Sequence, residues 1–545
     1  MRDMARSSSE ELPPPVSRTT LAAAIAVLLL TLAFALVWSH YKLFWSDELL
    51  EYYTDSKPTL AAIIFGQLLY PFSLEPPAFH LLLHLLLRIL PHHHELASRL
   101  PSIVALLVTE ICVFRIVWRL TRVENAALFA MAMPFFLVTI DYAPEARVYS
   151  LLTALFALAM VCYQAATEPA AKSRTLALFG LWLALSSAIL LHYYAVFLLL
   201  PFLVAEAVRT LRIRRADWAL WLALAAAMAA FLCNLPFMEG LHPLQAHYFD
   251  NGDTRFTMIA FTYLWFFWHF DAYKYLGLWG WHVQAQFYLA TAALLALSLV
   301  PIFLNLRARW SHNRPGLPTM VALTGGLLLP VLHLVVAHLI THAYAPRYSL
   351  PAVISISVLM ALGISPWLRR RSIFLPLWLS LLAASSLYAV HHIRMQAGET
   401  GVLRIEHAIT PELRAAIEAQ PDHHIYMQDL ARFLTTSAYL PAEDKPLLVA
   451  VRSADRELQW MHQDTSALYA ENIGRTTPLQ VLAYESLLRH PGPYLFVIYG
   501  DPAEEWIGRE LFSDASSVIP LGNALGGRLY RITFPQPLIP ARLPL

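Results

Sequence analysis

The sequence predicts a polytopic α-helical membrane protein that ends in a soluble α/β domain. Of its 545 residues, 58% are hydrophobic and only 14% are charged. A soluble globular protein would carry roughly 25% charged residues, so the composition excludes an ordinary soluble enzyme. Long apolar runs recur until about residue 392, where they stop and charged residues return. We therefore predict a transmembrane domain over residues 1–392 and a soluble domain over residues 393–545.

Apolar runs long enough to cross a bilayer begin directly after a polar N-terminal segment. Hydropathy predicts eleven spans, at residues 20–39, 101–119, 125–140, 149–165, 175–190, 194–209, 218–236, 285–304, 319–340, 349–365 and 373–391. Two weaker apolar segments extend the count to eleven to thirteen. We expect residues 77–91 to form a juxtamembrane or re-entrant helix, and the Trp-rich residues 258–283 to lie in the interface.

Basic residues indicate the orientation of these spans. With the N-terminus inside, the loops that fall inside carry Arg or Lys at 119 and 122, 172 and 174, 209–215, 307–314 and 369–371. Positive residues favour the cytoplasmic side. The outer face then holds the first loop (40–100), four further loops (141–148, 191–193, 237–284 and 341–348) and the soluble tail.

The tail has the alternating pattern of a small α/β domain. Short β-like runs occur at residues 424–427, 446–451, 494–499 and 528–534, and helical stretches at 411–419 and 478–488 lie between them. A length of about 150 residues is typical of one domain. The tail contains no Gly-rich phosphate loop, so we expect a structural or acceptor-recruiting role for it.

Two adjacent carboxylates, Asp47 and Glu48, follow the first span closely. Ionised groups at a membrane boundary usually have a partner or a function. The alternative is an ordinary helix N-terminus, in which Ser46 caps the helix and both acids interact with its dipole.

The other outer loops each carry a polar cluster. These are Lys57 and Glu75 in the first loop, Asp141, Glu145, Arg147 and Tyr149 in the second, His192, Tyr193 and Tyr194 in the third, and Arg347 and Tyr348 in a later one. Any single Arg–Tyr pair also suits simple anchoring at the interface. Several clusters on one face, together with Asp47 and Glu48, indicate a site.

The order of these motifs resembles the GT-C superfamily of polyprenyl-phosphate-sugar-dependent glycosyltransferases. The resemblance is closest to the branch that contains protein O-mannosyltransferases and the lipid A aminoarabinose transferase. It rests on residues 45–48 after the first span, the Pro76-Pro77 pair opening an apolar helix, residues 99–102 opening the next helix, and residues 145–149, 192–194 and 347–348. It covers residues 20 to about 370. It implies a GT-C-like catalytic domain with the catalytic Asp in the first outer loop, in a bacterial inner membrane with the tail in the periplasm.

The chain departs from this family at two places. The family often has His or Lys before the Pro-Pro pair, where this chain has Glu75. The second loop of the family often carries an acid after the arginine, whereas Asp141 and Glu145 precede Arg147 here. Another residue must therefore help to hold the donor phosphate, and the part played by a second carboxylate stays open.

Transfer of a sugar from a lipid-linked phosphate suits the same residues. Asp47 would act as the base, and Glu48 would orient it, bind the acceptor or help to hold a metal. A single displacement would invert the anomeric centre. Arg147 and Arg347 are the expected phosphate ligands, with Tyr348 beside them and Lys57 as a weaker candidate. Further substrate contacts are expected from Glu75, Tyr149, His192, Tyr193 and Tyr194.

The expected partners are a polyprenyl-phosphate-linked sugar, a lipid, glycan or protein acceptor, and membrane lipids, without nucleic acid. No cofactor is certain. A divalent metal stays open, since five outer-face side chains have suitable types: Glu48, Glu75, Asp141, Glu145 and His192.

Two other classes compete with an enzyme. A transporter or flippase would carry ionisable residues in mid-membrane and often an inverted repeat. Here the span interiors are largely apolar and no such repeat is evident. A non-catalytic scaffold gives no reason for charged clusters on several loops.

Overall fold

The computed structural model describes residues 15–168, 173–248, 256–269, 281–312, 316–341, 344–406, 408–500 and 505–535. The chain divides into two compact units. The first, here the helical unit, comprises Met1–His40, His92–Leu235 and Asp253–Ile393. The second, here the mixed unit, comprises Tyr41–Pro91, Pro236–Gly252 and Arg394–Leu545. Most of the first loop (40–100) thus belongs to the same unit as the tail, whereas the sequence assigns it to the transmembrane domain.

Helices of 8 to 36 residues occupy most of the described chain before the tail. In chain order they are α1 (Arg18–Tyr41), α2 (Ser46–Asp55), α3 (Leu60–Leu69), α4 (Pro77–Ile89), α5 (His94–Thr121), α6 (Glu124–Phe136), α7 (Tyr149–Ala166), α8 (Arg174–Leu191), α9 (Leu200–Ile213), α10 (Trp218–Ala229), α11 (Leu235–Tyr248), α12 (Thr257–Trp268), α13 (Trp281–His312), α14 (Leu317–Leu327), α15 (Leu329–Val336), α16 (Ala352–Leu368) and α17 (Arg371–Glu406).

The helical unit has the length and apolarity of a multi-pass membrane protein. Within the described ranges, seven helical segments are long and apolar enough to span a bilayer. An eighth is added if the bent pair α14–α15, with its 48° bend, forms one span. Each predicted span overlaps a helix, and this confirms the polytopic fold class. The number of crossings, eleven to thirteen, stays a prediction.

Two predicted helix boundaries are wrong. The predicted span 125–140 ends early, because α6 stops at Phe136 and a 3₁₀ turn follows from Val138 to Tyr142. The motif at residues 99–102 does not open a helix, since α5 already begins at His94 and includes Pro101. Of the aromatic segment 258–283, α12 covers the start, and residues 270–280 lie outside the described residues.

The first loop folds into three short helices. Thr59 caps α3, where its hydroxyl accepts a hydrogen bond from the Ala62 N–H at 3.1 Å. Pro77 begins α4 at a position where its missing N–H costs no helical hydrogen bond. The Pro76-Pro77 pair therefore opens an apolar helix, as predicted, and α4 has only 13 residues.

Over the described residues 408–500 and 505–535, the tail is an α/β domain with a six-stranded sheet. Its strands are β1 (Ile425–Met427), β2 (Leu448–Arg452), β3 (Gln480–Ala483), β4 (Tyr494–Ile498), β5 (Ser517–Ala524) and β6 (Gly527–Thr533). Their order is β3-β2-β1-β4-β6-β5; the first four are parallel, and β6 and β5 are antiparallel. The helices are α18 (Pro411–Glu418), α19 (Leu430–Tyr439), α20 (Ala454–Met461), α21 (Thr465–Thr476), α22 (Tyr484–Leu487) and α23 (Ile507–Asp514).

The four predicted strands all exist, and they are the four inner strands of the sheet. β1 and β4 are buried throughout, whereas β6 mixes buried, partly buried and exposed residues. The helix predicted over 478–488 is wrong. Residues 480–483 form β3, in which Val481 pairs with Ala450 of β2, and only one helical turn follows. The sequence also misses β5, an edge strand whose side chains are mostly exposed.

Candidate functional site

The acidic stretch after the first span forms the start of α2. Trp45 is the N-cap and Ser46 the first helical residue, so the predicted cap by Ser46 is wrong. Glu48 is fully buried, and its carboxylate accepts a hydrogen bond from the Trp45 N–H at 3.4 Å. Asp47 is partly exposed. Of the two acids, Asp47 is thus the one that can reach a substrate, while Glu48 holds the first turn of the helix.

Sequence reasoning missed a buried polar network behind α2. His80 Nδ1 lies 2.7 Å from Asp55 Oδ1 and 3.4 Å from Glu51 Oε2, and all three side chains are buried. Its other ring nitrogen, Nε2, lies 2.6 Å from Gln67 Nε2. Burial, reinforced by the charge of Glu51, holds the pKa of Asp55 well above its usual range, although Lys57 opposes the shift. One signal was available, since residues 47, 51 and 55 follow the four-residue spacing of one helix face.

Glu75 and Lys57 are both buried in the mixed unit. The Glu75 N–H donates to Ser73 Oγ at 3.2 Å, and the Ser73 hydroxyl donates to Glu51 at 2.8 Å. Lys57 Nζ lies 4.9 Å from the centre of the Phe72 ring. Burial lowers the pKa of Lys57 to about 8, against the opposing charge of Asp55. Lys57 is therefore a weaker cation than an arginine near neutral pH.

In the helical unit, two predicted phosphate ligands meet at one tyrosine. The hydroxyl oxygen of Tyr149 accepts hydrogen bonds from Arg147 Nη2 at 3.3 Å and from Arg347 Nε at 3.1 Å. Both guanidinium carbons also lie over its ring, at 5.5 and 5.6 Å from the centre. Tyr149 and Arg147 are buried and Arg347 is partly exposed. Residues that are 200 positions apart thus hold two positive charges close together.

Further aromatic rings pack against Tyr149, the residue that both arginines contact. The His192 ring lies 5.7 Å from the Tyr149 ring and 5.4 Å from the Tyr348 ring, and the Tyr194 and Tyr348 rings are 4.8 Å apart. His192 Nδ1 accepts the Tyr194 N–H at 3.2 Å. Burial, followed by the charges of nearby Arg147, His333 and Arg347, lowers the pKa of His192 to about 3. His192 is therefore neutral at physiological pH, and Tyr193, partly buried, begins the 3₁₀ turn beside it.

The acids of the second loop have a different neighbour. His269 Nδ1 lies 3.3 Å from the Asp141 carboxylate, and the His269 ring packs 4.1 Å from the Tyr388 ring. Glu145 is partly exposed. In the part of the chain that the structure describes, no group of three or more His, Cys, Asp or Glu side chains is arranged to hold a metal ion.

The fold and one segment match known proteins. Residues 74–237 match the family model described as dolichyl-phosphate-mannose-protein mannosyltransferase. The solved structure of ArnT from Cupriavidus metallidurans in the apo state aligns with 94% of this chain and 98% of its own, at a TM-score of 0.54 and 15% identity. The structure of that protein bound to undecaprenyl phosphate aligns with 94% and 97%, at a TM-score of 0.53 and 15% identity. No curated protein matches the sequence significantly.

At 15% identity, the likeness to ArnT concerns the fold, and it extends over nearly the whole of both chains. The family segment includes the loops at 141–148 and 191–193, and with them Arg147, Tyr149 and His192. The resemblance seen in the order of the motifs is therefore confirmed, and the chain has the GT-C fold, with residues 74–237 matching the dolichyl-phosphate-mannose-protein mannosyltransferase family.

Proposed function

We propose that the protein is a membrane glycosyltransferase that moves a sugar from a polyprenyl-phosphate donor to a hydroxyl of a lipid, glycan or protein acceptor. The observation that carries this proposal is the convergence of Arg147 and Arg347 on the Tyr149 hydroxyl. Two guanidinium groups held together suit a phosphate group, since each can donate two parallel hydrogen bonds. The undecaprenyl phosphate bound to ArnT, which has the same fold, supports the choice of donor.

The proposed reaction is one displacement at the anomeric carbon. Asp47 takes the proton of the acceptor hydroxyl as that oxygen bonds to the anomeric carbon. The bond from the anomeric carbon to the phosphate oxygen breaks, and its electrons stay on the prenyl phosphate. Arg147 and Arg347 stabilise the charge that develops there. Attack opposite the leaving group inverts the anomeric configuration, and phosphate leaves without a general acid, unlike the alcohol in glycoside hydrolysis.

The remaining predicted residues take supporting roles in this proposal. Glu48 orients Asp47 through the first turn of α2, where it accepts the Trp45 N–H. Tyr149 holds the two arginines, because its hydroxyl is already engaged by both of them. Lys57 is a minor phosphate ligand. Contacts to donor or acceptor are assigned to five further side chains: Glu75, His192, Tyr193, Tyr194 and Tyr348.

The proposed location is a bacterial inner membrane, with the N-terminus in the cytoplasm and the tail in the periplasm. A donor with a charged head and an isoprenoid tail requires a site near the membrane surface. Labelling of a single cysteine introduced into the tail, which has none in its sequence, tests this orientation in intact and permeabilised cells. Labelling of the tail while the inner membrane is intact supports this orientation. Labelling that occurs only after the inner membrane is permeabilised contradicts it.

The first experiment measures sugar transfer by the full-length protein in nanodiscs, with a panel of polyprenyl-phosphate sugars and cell-envelope acceptors. Asp47→Asn should insert normally and lose activity by about 10²–10⁴-fold, the usual contribution of a positioned base. Near-normal activity of Asp47→Asn would exclude it as the base. Movement of the donor between leaflets without sugar transfer would instead indicate a flippase.

The phosphate ligands are tested by binding of undecaprenyl phosphate to Arg147→Ala and Arg347→Ala. Each variant should bind more weakly than the wild type, since a hydrogen bond to a charged group contributes about 1.5–3 kcal/mol. Arg369→Ala is the matched control, because Arg369 is exposed in another part of the helical unit. Binding at the wild-type level in both variants would contradict the phosphate assignment.

A further inference from the structure

The tail domain holds the segment that leads into α2. The hydroxyl oxygen of Tyr439, the last residue of α19, accepts a hydrogen bond from the Phe44 N–H at 2.7 Å. Phe44 lies three residues before Asp47, and α19 packs against α2. The Thr400 hydroxyl also donates to the carbonyl of Tyr41, at the beginning of the same segment. These contacts join residues that lie more than 350 positions apart, within one compact unit.

The tail domain also holds the segment between α3 and Glu75. Asn472 of α21 donates from Nδ2 to the carbonyl of Pro71 at 2.7 Å. One turn further along α21, the Arg475 guanidinium lies 5.4 Å from the centre of the Tyr70 ring. The first loop is thus attached to the tail on both sides of α2 and α3.

Both hydrogen bonds use backbone groups of irregular segments. The Phe44 N–H and the Pro71 carbonyl lie outside the regular helices, where the chain has no helical partner to offer them. A hydrogen bond from another element therefore restricts where these segments lie. A catalytic base must be held to within about 0.5 Å of its working position. A helix of ten residues can shift as a rigid body unless its ends are held.

We propose that the C-terminal domain is a positioning element for the first loop, and that Tyr439 and Asn472 are its positioning residues. Tyr439 holds the entry to α2 and so the position of Asp47. Asn472 holds the segment that ends at Glu75. The effect on catalysis rests on the proposed glycosyltransferase function, whereas the effect on the mobility of the first loop does not.

The first test is hydrogen–deuterium exchange of the full-length protein in nanodiscs. Tyr439→Phe removes only the hydroxyl, and Asn472→Ala removes the amide donor. Loss of one hydrogen bond should raise amide exchange about three- to tenfold over residues 44–55 in Tyr439→Phe and over residues 70–75 in Asn472→Ala. Tyr499→Phe is the matched control, because Tyr499 donates to the Leu525 carbonyl inside the tail domain. It should leave both regions unchanged.

The second test measures transfer kinetics with the same variants. Tyr439→Phe should lower kcat about three- to tenfold at an unchanged KM for the donor and an unchanged unfolding temperature, because it displaces the base without touching the donor. Unchanged exchange over 44–55 and 70–75 in Tyr439→Phe and Asn472→Ala overturns the positioning role. If the wild type transfers no sugar but the exchange changes appear, the proposed function fails and the positioning role stands.

Discussion

The hydroxyl of Tyr149 is the group whose removal tests the phosphate site most directly. Tyr149→Phe keeps the ring under both guanidinium groups and deletes only the oxygen that accepts from Arg147 and Arg347. The two hydrogen bonds, at 3.3 and 3.1 Å, are long. We therefore expect each of them to contribute a free energy at the lower end of the range for protein hydrogen bonds. We expect a combined loss of about 1–2 kcal/mol in donor binding, which is about a five- to thirtyfold rise in Kd.

The assay is binding of undecaprenyl phosphate to the full-length protein in nanodiscs, followed by transfer kinetics. Both the Kd and the KM for the donor should rise, because guanidinium groups that are no longer held in position bind the phosphate of the donor less tightly. Tyr263→Phe is the matched control. Tyr263 is also buried in the helical unit, and its hydroxyl donates to the carbonyl of Leu327. This control should keep the wild-type Kd.

Two results would refute this reasoning. If Tyr149→Phe binds donor as the wild type does while Arg147→Ala and Arg347→Ala do not, the hydroxyl positions neither arginine. If Tyr149→Phe and Tyr263→Phe weaken binding equally, the effect is a general loss of packing. An unchanged unfolding temperature in Tyr149→Phe separates both cases from misfolding.

Three further predictions concern the mixed unit. A methyl group at position 66 would displace the flexible Lys57 ammonium. Gly66→Ala should therefore accumulate normally and show the same KM for the donor as Lys57→Met, and the double variant should show no further change. Additive effects on KM would contradict this. Asp55→Asn should cost under about 1 kcal/mol in unfolding free energy, since it keeps a neutral oxygen beside His80, whereas Asp55→Ala should cost about 2–3 kcal/mol. Burial raises the pKa of Glu457 to about 8. Between the ordinary pKa of a glutamate and pH 8, the Glu457 carboxyl therefore keeps its proton in the folded state and loses it in the unfolded state. Stability should therefore fall by up to about 1.4 kcal/mol per unit as the pH rises from about 5 to 8. Glu457→Gln keeps an oxygen that accepts the Ala467 N–H but cannot ionise. Its stability, measured by thermal unfolding at pH 5 and pH 8, should depend less on pH than that of the wild type. An unchanged pH dependence would exclude Glu457 as the source of the effect.

Local patterns in the sequence determine the fold class and most of the helices and inner strands. A single apolar run of twenty residues becomes a helix in a bilayer, because only a helix pairs all backbone hydrogen-bonding groups within one segment. The strands at 425–427, 448–452 and 494–498 are likewise visible as short apolar runs, because almost all of their residues are buried in the sheet. The strand at 527–533 is visible through Leu529, Tyr530 and Ile532, although two arginines interrupt it. The edge strand 517–524 lacks that pattern, because most of its side chains are exposed.

The side chains of the candidate site were also visible in the sequence, but not their partners. Asp47, Arg147, His192 and Arg347 stand out because charged and polar groups are rare in so apolar a chain. Their sequence positions do not reveal that Arg147 and Arg347 share the Tyr149 hydroxyl, since only helix packing brings residues 200 positions apart together.

The tertiary structure alone decided which acids are buried and what the tail holds. Glu51 and Asp55 look like ordinary surface acids of a short helix, yet His80 from another helix lies against both of them inside the unit. Tyr439 and Asn472 belong to no motif, and each contacts a backbone group of the first loop. Any residue type supplies such a group, so no sequence pattern marks these contacts, and only the packing of distant segments creates them.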